Sequence, residues 1–487
     1  MATTAEWAIQ EPRWQRDQRS RRGRRMTGRG RATLASGGLA FAIGLAWLIE
    51  PISSRSAERP PEPLPPVEAA APPVAKIDRH REPEVVVPPR APSFVLERLP
   101  MTRTALDLPV TGEADASPPA SLPGRLFERF PAPANGGTYT VEYTLDAELT
   151  RQVHKVLRRA RVELGNVIVM DPEQGRVLAY ASTDPERFPP TRNYPAASLV
   201  KVITAAAALD RAPSEARLPC RYRGSPYRLT ESRLDPPDRG REVTLRKALA
   251  TSNNQCFAQL AVHAVGVNPL IEAIGRFGWL RAPAPAHAPG EADPGEDRLD
   301  VGRLGCGLAG CRITPLHAAQ LAGTLVHGEL VTPRWIERAW DPRGRALSLP
   351  ATPANRQVLD PDLMTELRAM LIDTTRKGTA RRAFRKRNGH PMLGDIRVAG
   401  KTGSLSGKDP EGRYEWFVGV APADKPRVAI ATVLVQGHLY WRTSSQVAAE
   451  VLQGVFCEKG KRCAPELADR YSLPGRGTQT LAQRRTR

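Results

Sequence analysis

The chain has 487 residues, a net charge of +20 and 47 unevenly spread prolines. That length allows two or three domains, although the proline-rich part is a poor candidate for one of them. The basic residues are scattered, with no zinc-finger spacing, aromatic RNA-binding signature or helix-turn-helix, so no nucleic-acid partner is indicated. Eight dispersed histidines without HExxH, and six cysteines without a CxxC pair, indicate neither a metal site nor thioredoxin-like chemistry, and no cofactor is expected.

In chain order, residues 1–31 form a basic tail with nine arginines between positions 13 and 31. Residues 32–49, ATLASGGLAFAIGLAWLI, carry no charge. As a helix they would span ~27 Å, close to a bilayer core. The arginines before them predict a cytoplasmic N-terminus. The reading is an uncleaved single-pass anchor over 32–50, with all that follows on the extracytoplasmic, periplasmic side; a cleaved signal peptide is the alternative. Residues 51–137 (PPEPLPPVEAAAPPVAK is typical) read as a stiff, extended linker.

A folded domain is expected over 138–456. "TYTVEYTL" alternates like a strand, "DAELTRQVHKVLRRARVE" like an amphipathic helix, and "GNVIVMDPEQGRVLAYAS" like two strands around a turn at 171–175. The run "AASLVKVITAAAAL" (196–209) follows as a helix. Residues 244–280 have helical spacing, 281–297 read as a surface loop, and 314–328 and 360–378 read as helices. Strands return in "IRVAGKTGS", "YEWFVGVAP" and "RVAIATVLVQG", and a last helix lies near 443–456. Strands at both ends with helices between predict an α/β (α+β) domain with a central antiparallel sheet flanked by helices. Residues 457–487 read as a basic tail, and a second, smaller basic cluster lies at 376–387. Cys457 and Cys463 suit either a disulfide in an oxidising compartment or two free thiols, and Cys306 and Cys311 carry the same alternatives.

Three short groups could carry chemistry. Ser198 and Lys201 are one helical turn apart, so an amine in a dry setting could act as base for the hydroxyl. Taken alone, the pair also fits a surface lysine on a helix. In "ALATSNNQCFAQLA", Ser252 could relay a proton and Asn254 could hold a peptide bond; an N-cap explains the stretch equally well. In "VAGKTGS", Lys401 and Thr402 suit a carboxylate, and Gly403 lets another backbone approach; a simple turn is the plainer reading.

The three occur in the order S-x-x-K, S-x-N, K-T-G, about fifty and then about one hundred and fifty residues apart. With "MDPEQGRVLAYAS", "ALATSNNQCF", "ITPLHAAQLA" and "EWFVGVAP", this set resembles the transpeptidase domain of penicillin-binding proteins, in the penicillin-binding/β-lactamase-like superfamily. The resemblance covers 138–456, about two-thirds of the chain. It implies a β-lactamase/transpeptidase-like fold and a D,D-transpeptidase that cross-links peptidoglycan stem peptides and binds β-lactams covalently. Ser198 would attack the carbonyl between two D-alanines, Lys201 would take its proton, and Ser252 would pass a proton to the departing D-alanine. Asn254 would align the substrate amide, Lys401 and Thr402 would bind the terminal carboxylate beside Gly403, and the N–H groups of Ser198 and Ser404 would form the oxyanion hole. Ser404 stands where a threonine often follows K-T-G, and Cys256 beside S-x-N is unusual. The linker looks too proline-rich for a glycosyltransferase or pedestal domain, so no protein partner is assigned. A D,D-carboxypeptidase, a serine β-lactamase, and a β-lactam sensor or inactive peptidoglycan-binding protein are the other readings.

Overall fold

The computed structural model describes residues 125–131, 137–285, 287–349, 351–437, 442–458 and 462–472. The basic tail at 1–31, the expected anchor at 32–50 and most of the linker lie outside them. Among the described residues, no single helix is long and apolar enough to cross a membrane.

In chain order the principal elements are β1 (Arg125–Pro131), β2 (Thr138–Asp146), α1 (Ala147–Arg159), β3 (Leu164–Met170) and β4 (Val177–Ser182). There follow α2 (Val200–Arg211), α3 (Leu245–Thr251), α4 (Asn254–Gln259), α5 (Val267–Arg276), α6 (Arg298–Cys306) and α7 (Pro315–Thr324). The chain continues through β5 (Ile336–Trp340), α8 (Pro361–Arg376), β6 (Ala399–Lys408), β7 (Glu411–Ala421), β8 (Val428–Gln436) and α9 (Ser444–Phe456).

The central sheet is antiparallel, in the order β6-β7-β8-β3-β4. Its middle strands are apolar almost throughout because helices cover both faces. Along β3, Ile168 and Met170 enter one core while Val167 and Val169 enter the other, as a two-residue period requires. The first core holds α2 and α7. The second holds α1 and α9. Helix α1 turns Leu149, Val153, Val156 and Leu157 inward, and Asp146 caps it by accepting from Leu149 N–H at 2.7 Å. Strand β6 is an edge strand, so one of its sides stays open to a ligand backbone.

Three expectations are corrected. "TYTVEYTL" is strand β2, but it joins a separate three-stranded sheet, β1-β2-β5, rather than the central one. Strand β1 falls inside the expected linker: "RLFERFP" pairs antiparallel along β2, and Tyr143 donates to Glu128 at 2.5 Å. At the other end, the tail is not all tail. Cys457 and Cys463 form a disulfide, and Ala468 and Tyr471 pack into the second core. The 281–297 stretch is mostly irregular, but Glu291–Ala292 pairs as a short strand with Cys311–Ile313, and His287 is buried, 2.8 Å from the Tyr180 hydroxyl.

Candidate active site

Ser198 sits in a single 3-10 turn, Ala197–Leu199, that leads into α2. Ala197 has φ +50°, a left-handed conformation that costs a non-glycine residue about 1–2 kcal/mol. Three neighbours hold the turn. Ala196 N–H donates to Cys311 O at 2.9 Å, and Trp416 Nε1 donates to Pro195 O at 2.9 Å. Gly307, at φ +72°, packs so tightly against the Ala197 carbonyl that a Cβ there would collide with it. Gly403 closes the other side: a Cβ on it would lie 3.3 Å from Ala196 O and from Ala197 Cβ. A bare backbone at that position lets β6 meet the serine turn.

Helix α2 is buried from Val200 to Leu209, and Lys201 is fully enclosed. Its Nζ lies 2.8 Å from Ser198 Oγ, 2.7 Å from Asn254 Oδ1 and 2.5 Å from Cys306 O. The Phe257 ring lies 5.7 Å from the same nitrogen. Burial lowers the Lys201 pKa to about 8, opposed in part by the Cys306 thiol. Asn254 Oδ1 and the Cys306 carbonyl can only accept. A neutral amine therefore gives them its two protons and turns its lone pair toward the Ser198 hydroxyl.

The S-x-N stretch is the break between two helices. Ser252 ends α3 in the left-handed region (φ 56°, ψ 47°), and Asn253 caps α4 by accepting from Cys256 N–H at 3.2 Å. The break aims Ser252 at one lysine and Asn254 at the other. Lys401 donates to Ser252 Oγ at 2.9 Å and to Thr402 O at 2.7 Å. Its pKa is pushed well down, first by burial and then by the nearby Lys201 charge. Asn254 Nδ2 donates to Tyr227 O at 2.8 Å, which fixes the amide with Oδ1 toward Lys201.

Ser198, Lys201, Asn254, Ser252 and Lys401 thus lie in one network, with Gly403 against the serine turn. Thr402 and Ser404 follow on β6, Thr402 partly exposed and Ser404 exposed at the open edge. Among the described residues, no carboxylate bonds to Ser198, Lys201, Ser252 or Lys401, and no group of three or more His, Cys, Asp or Glu side chains could hold a metal ion.

Four participants have no motif of their own: the carbonyls of Cys306 and Tyr227, the Phe257 ring, and Thr379. Thr379 Oγ1 is 2.6 Å from Thr402 Oγ1. Cys256 finds its explanation in a disulfide with Cys220. That bond joins α4 to the 220–233 segment, whose carbonyls also take Gln255 Nε2 at 2.9 and 2.6 Å. Cys306 and Cys311 are free, buried thiols rather than a pair.

The central sheet and the helical middle bring the three motif groups into one hydrogen-bonded network. The family model for the penicillin binding protein transpeptidase domain matches residues 165–456, and the chain belongs to that family. It is 26% identical over 320 residues to the peptidoglycan D,D-transpeptidase PbpA of Mycolicibacterium smegmatis, covering 56% of this chain and 62% of that protein. It is 25% identical over 369 residues to the peptidoglycan D,D-transpeptidase FtsI of Escherichia coli K12, covering 68% of this chain and 58% of that protein. The chain thus spans about three-fifths of the length of these curated relatives. Among solved structures, the imipenem acyl-enzyme complex of penicillin-binding protein A from Mycobacterium tuberculosis shares the fold. The TM-score is 0.52 and the identity 21%, with 64% of this chain and 78% of that chain covered.

Proposed function

We propose that the chain is a serine D,D-transpeptidase of peptidoglycan. Ser198 Oγ attacks the carbonyl between the two terminal D-alanines of a stem peptide while Lys201 Nζ takes its proton. The N–H groups of Ser198 and Ser404 receive the oxyanion; losing one such donor costs about two to three powers of ten in rate. Ser252, in contact with Lys401, passes a proton to the departing D-alanine. Asn254 uses its second amide N–H to hold the substrate amide, and Lys401 and Thr402 bind the terminal carboxylate. The substrate backbone lies along the open edge of β6, where Gly403 permits close approach. An amine of a second stem peptide then resolves the ester. A β-lactam would acylate Ser198 in the same way.

The observation that carries this reading is the Lys201 amine, dry and held by two pure acceptors with its third direction toward Ser198 Oγ at 2.8 Å. A β-lactamase would need a further base for water. The lack of a carboxylate bonded to this network, among the described residues, favours slow hydrolysis and hence transfer. The same acyl-enzyme passed to water would make a D,D-carboxypeptidase. Residues 32–50 anchor the chain in the inner membrane, with the catalytic domain outside the cytoplasm. The two disulfides suit that oxidising side.

The test is to incubate the protein with a D-Ala-D-Ala pentapeptide donor and an amine acceptor. Cross-linked product should exceed hydrolysed product. Hydrolysis alone would assign a carboxypeptidase, and no turnover of the donor would refute the reading.

A further inference from the structure

The basic cluster at 376–387, RKGTARRAFRKR, holds seven cations and no acid. All seven are exposed. Among the described residues only Lys377 meets a carboxylate, Asp373 at 3.8 Å. Elsewhere on the domain arginines are commonly paired, as in Arg159–Glu450, Arg211–Glu272 and Arg298–Asp235. Like charges crowded together with so few carboxylates near them repel one another and oppose the folded state. The segment is nonetheless firmly seated. Ala380, Ala383 and Phe384 are buried in the second core, with the Phe384 and Phe417 rings 5.4 Å apart. Lys386 N–H donates to His390 O at 2.9 Å and Met392 N–H to Phe384 O at 2.9 Å, closing a hairpin.

Its position is specific. Gly378 packs against the Ala250 carbonyl, and Thr379 N–H donates to that carbonyl at 3.1 Å, two residues before Ser252. Thr379 Oγ1 touches Thr402 Oγ1 at 2.6 Å. Thr379 thus touches the proposed carboxylate site at Thr402, with Arg376 and Lys377 just before it in the chain and Arg381 and Arg382 just after it.

Resting on the transpeptidase reading, we propose that this basic rim docks the acceptor strand, a glycopeptide rich in carboxylates. The leaving D-alanine is held by its carboxylate at Lys401 and Thr402, so its amine departs toward that end. Resolving the ester with another amine is the same transfer run backward with a different amine, so the acceptor enters along the line the leaving group took. The acceptor amine attacks the ester carbonyl carbon and a C–N bond forms. The bond to Ser198 Oγ breaks, and the amine's proton returns through Ser252 and Lys201 to that oxygen. The rest of the acceptor then extends over residues 379–387, where Arg381 and Arg382 offer planar forks that match carboxylates.

The test compares the full chain with R381Q/R382Q and, separately, with R385Q/K386Q/R387Q. Labelling of Ser198 by a fluorescent penicillin reports the fold and the donor half of the site, and should be unchanged. Transfer from a pentapeptide donor is then measured to a stem tetrapeptide bearing free carboxylates and to glycinamide. Transfer to the tetrapeptide should fall about tenfold in the variants, with transfer to glycinamide unchanged. In the parent, the advantage of the tetrapeptide should shrink as salt is raised. Equal transfer by parent and variants, equal loss with both acceptors, or loss only of binding to anionic phospholipid vesicles would overturn the proposal and leave the transpeptidase reading standing. A parent that forms no product with either acceptor overturns both.

Discussion

At the scale of single residues, the proposed chemistry turns on Lys201. A lysine in water stays protonated at neutral pH and cannot act as base, whereas burial brings this one to about 8. Acylation by penicillin should therefore rise with pH and reach half its limiting rate near pH 8; a rate flat from pH 6 to 9 would remove the base from the account. An arginine at position 201 keeps its proton, so Lys201→Arg should slow acylation by about 10²–10⁴. Ser252 offers a cleaner probe. It already occupies a left-handed conformation, which glycine adopts freely. Ser252→Gly relieves that strain but removes an acceptor from the buried Lys401, so it should cost about 1–3 kcal/mol of stability at most and lower transfer by about 10². A variant that transfers normally would take the relay away from Ser252. These side chains were legible because S-x-x-K, S-x-N and K-T-G are named by residue type and spacing. The carbonyls of Cys306 and Tyr227 were not, since a backbone oxygen has no sequence signature and is aimed by tertiary packing alone. Thr379 stood unremarked in the 376–387 cluster because its contact to Thr402 bridges 23 positions.

Among elements, the turn that presents Ser198 is held by its neighbours rather than by its own preference. Gly307 ends α6 just beyond the Cys306 carbonyl that binds Lys201, and it supports Ala197 from below. Gly307→Ala combines a left-handed strain of about 1–2 kcal/mol with an overpacking cost of about 1–3 kcal/mol. Thermal unfolding should register a loss of about 2 kcal/mol or more, with penicillin acylation slowed as the turn shifts. An unchanged melting temperature and rate would mean the turn is held by something else. Strands β3 and β8 could be read because fully buried strands are nearly continuous apolar runs. β1 and β5 could not: "RLFERFP" follows a proline-rich stretch, and "IERAW" mixes charge with apolar residues. Both become strands only by pairing with β2, a partner that local sequence does not announce.

For the molecule as a whole, the disulfide between Cys220 and Cys256 closes a span of 36 residues and ties the Asn254 helix to the segment that orients its amide. Loop-closure entropy gives such a bond about 3–4 kcal/mol. Replacing both cysteines by serine should lower stability by about that amount in denaturant unfolding and slow acylation as well; a variant equal to the parent in both would leave the bond without the positioning role. Its pairing was out of reach of the sequence, since six cysteines allow fifteen full pairings; of the two alternatives left open for Cys306 and Cys311, the structure has the free, buried thiols. The chain positions of the central-sheet strands and the helical middle were readable, because they follow from hydrophobic period. The way three distant motifs close into one network depends on the sheet order, and the family resemblance supplied what periodicity could not.

All of this depends on a hydroxyl that carries the acyl group. Incubating the purified protein with benzylpenicillin and mapping the product by mass spectrometry tests that most directly. The account predicts one covalent adduct, on the peptide containing Ser198, and none with Ser198→Ala. An adduct on another residue, or labelling that survives Ser198→Ala, would contradict it.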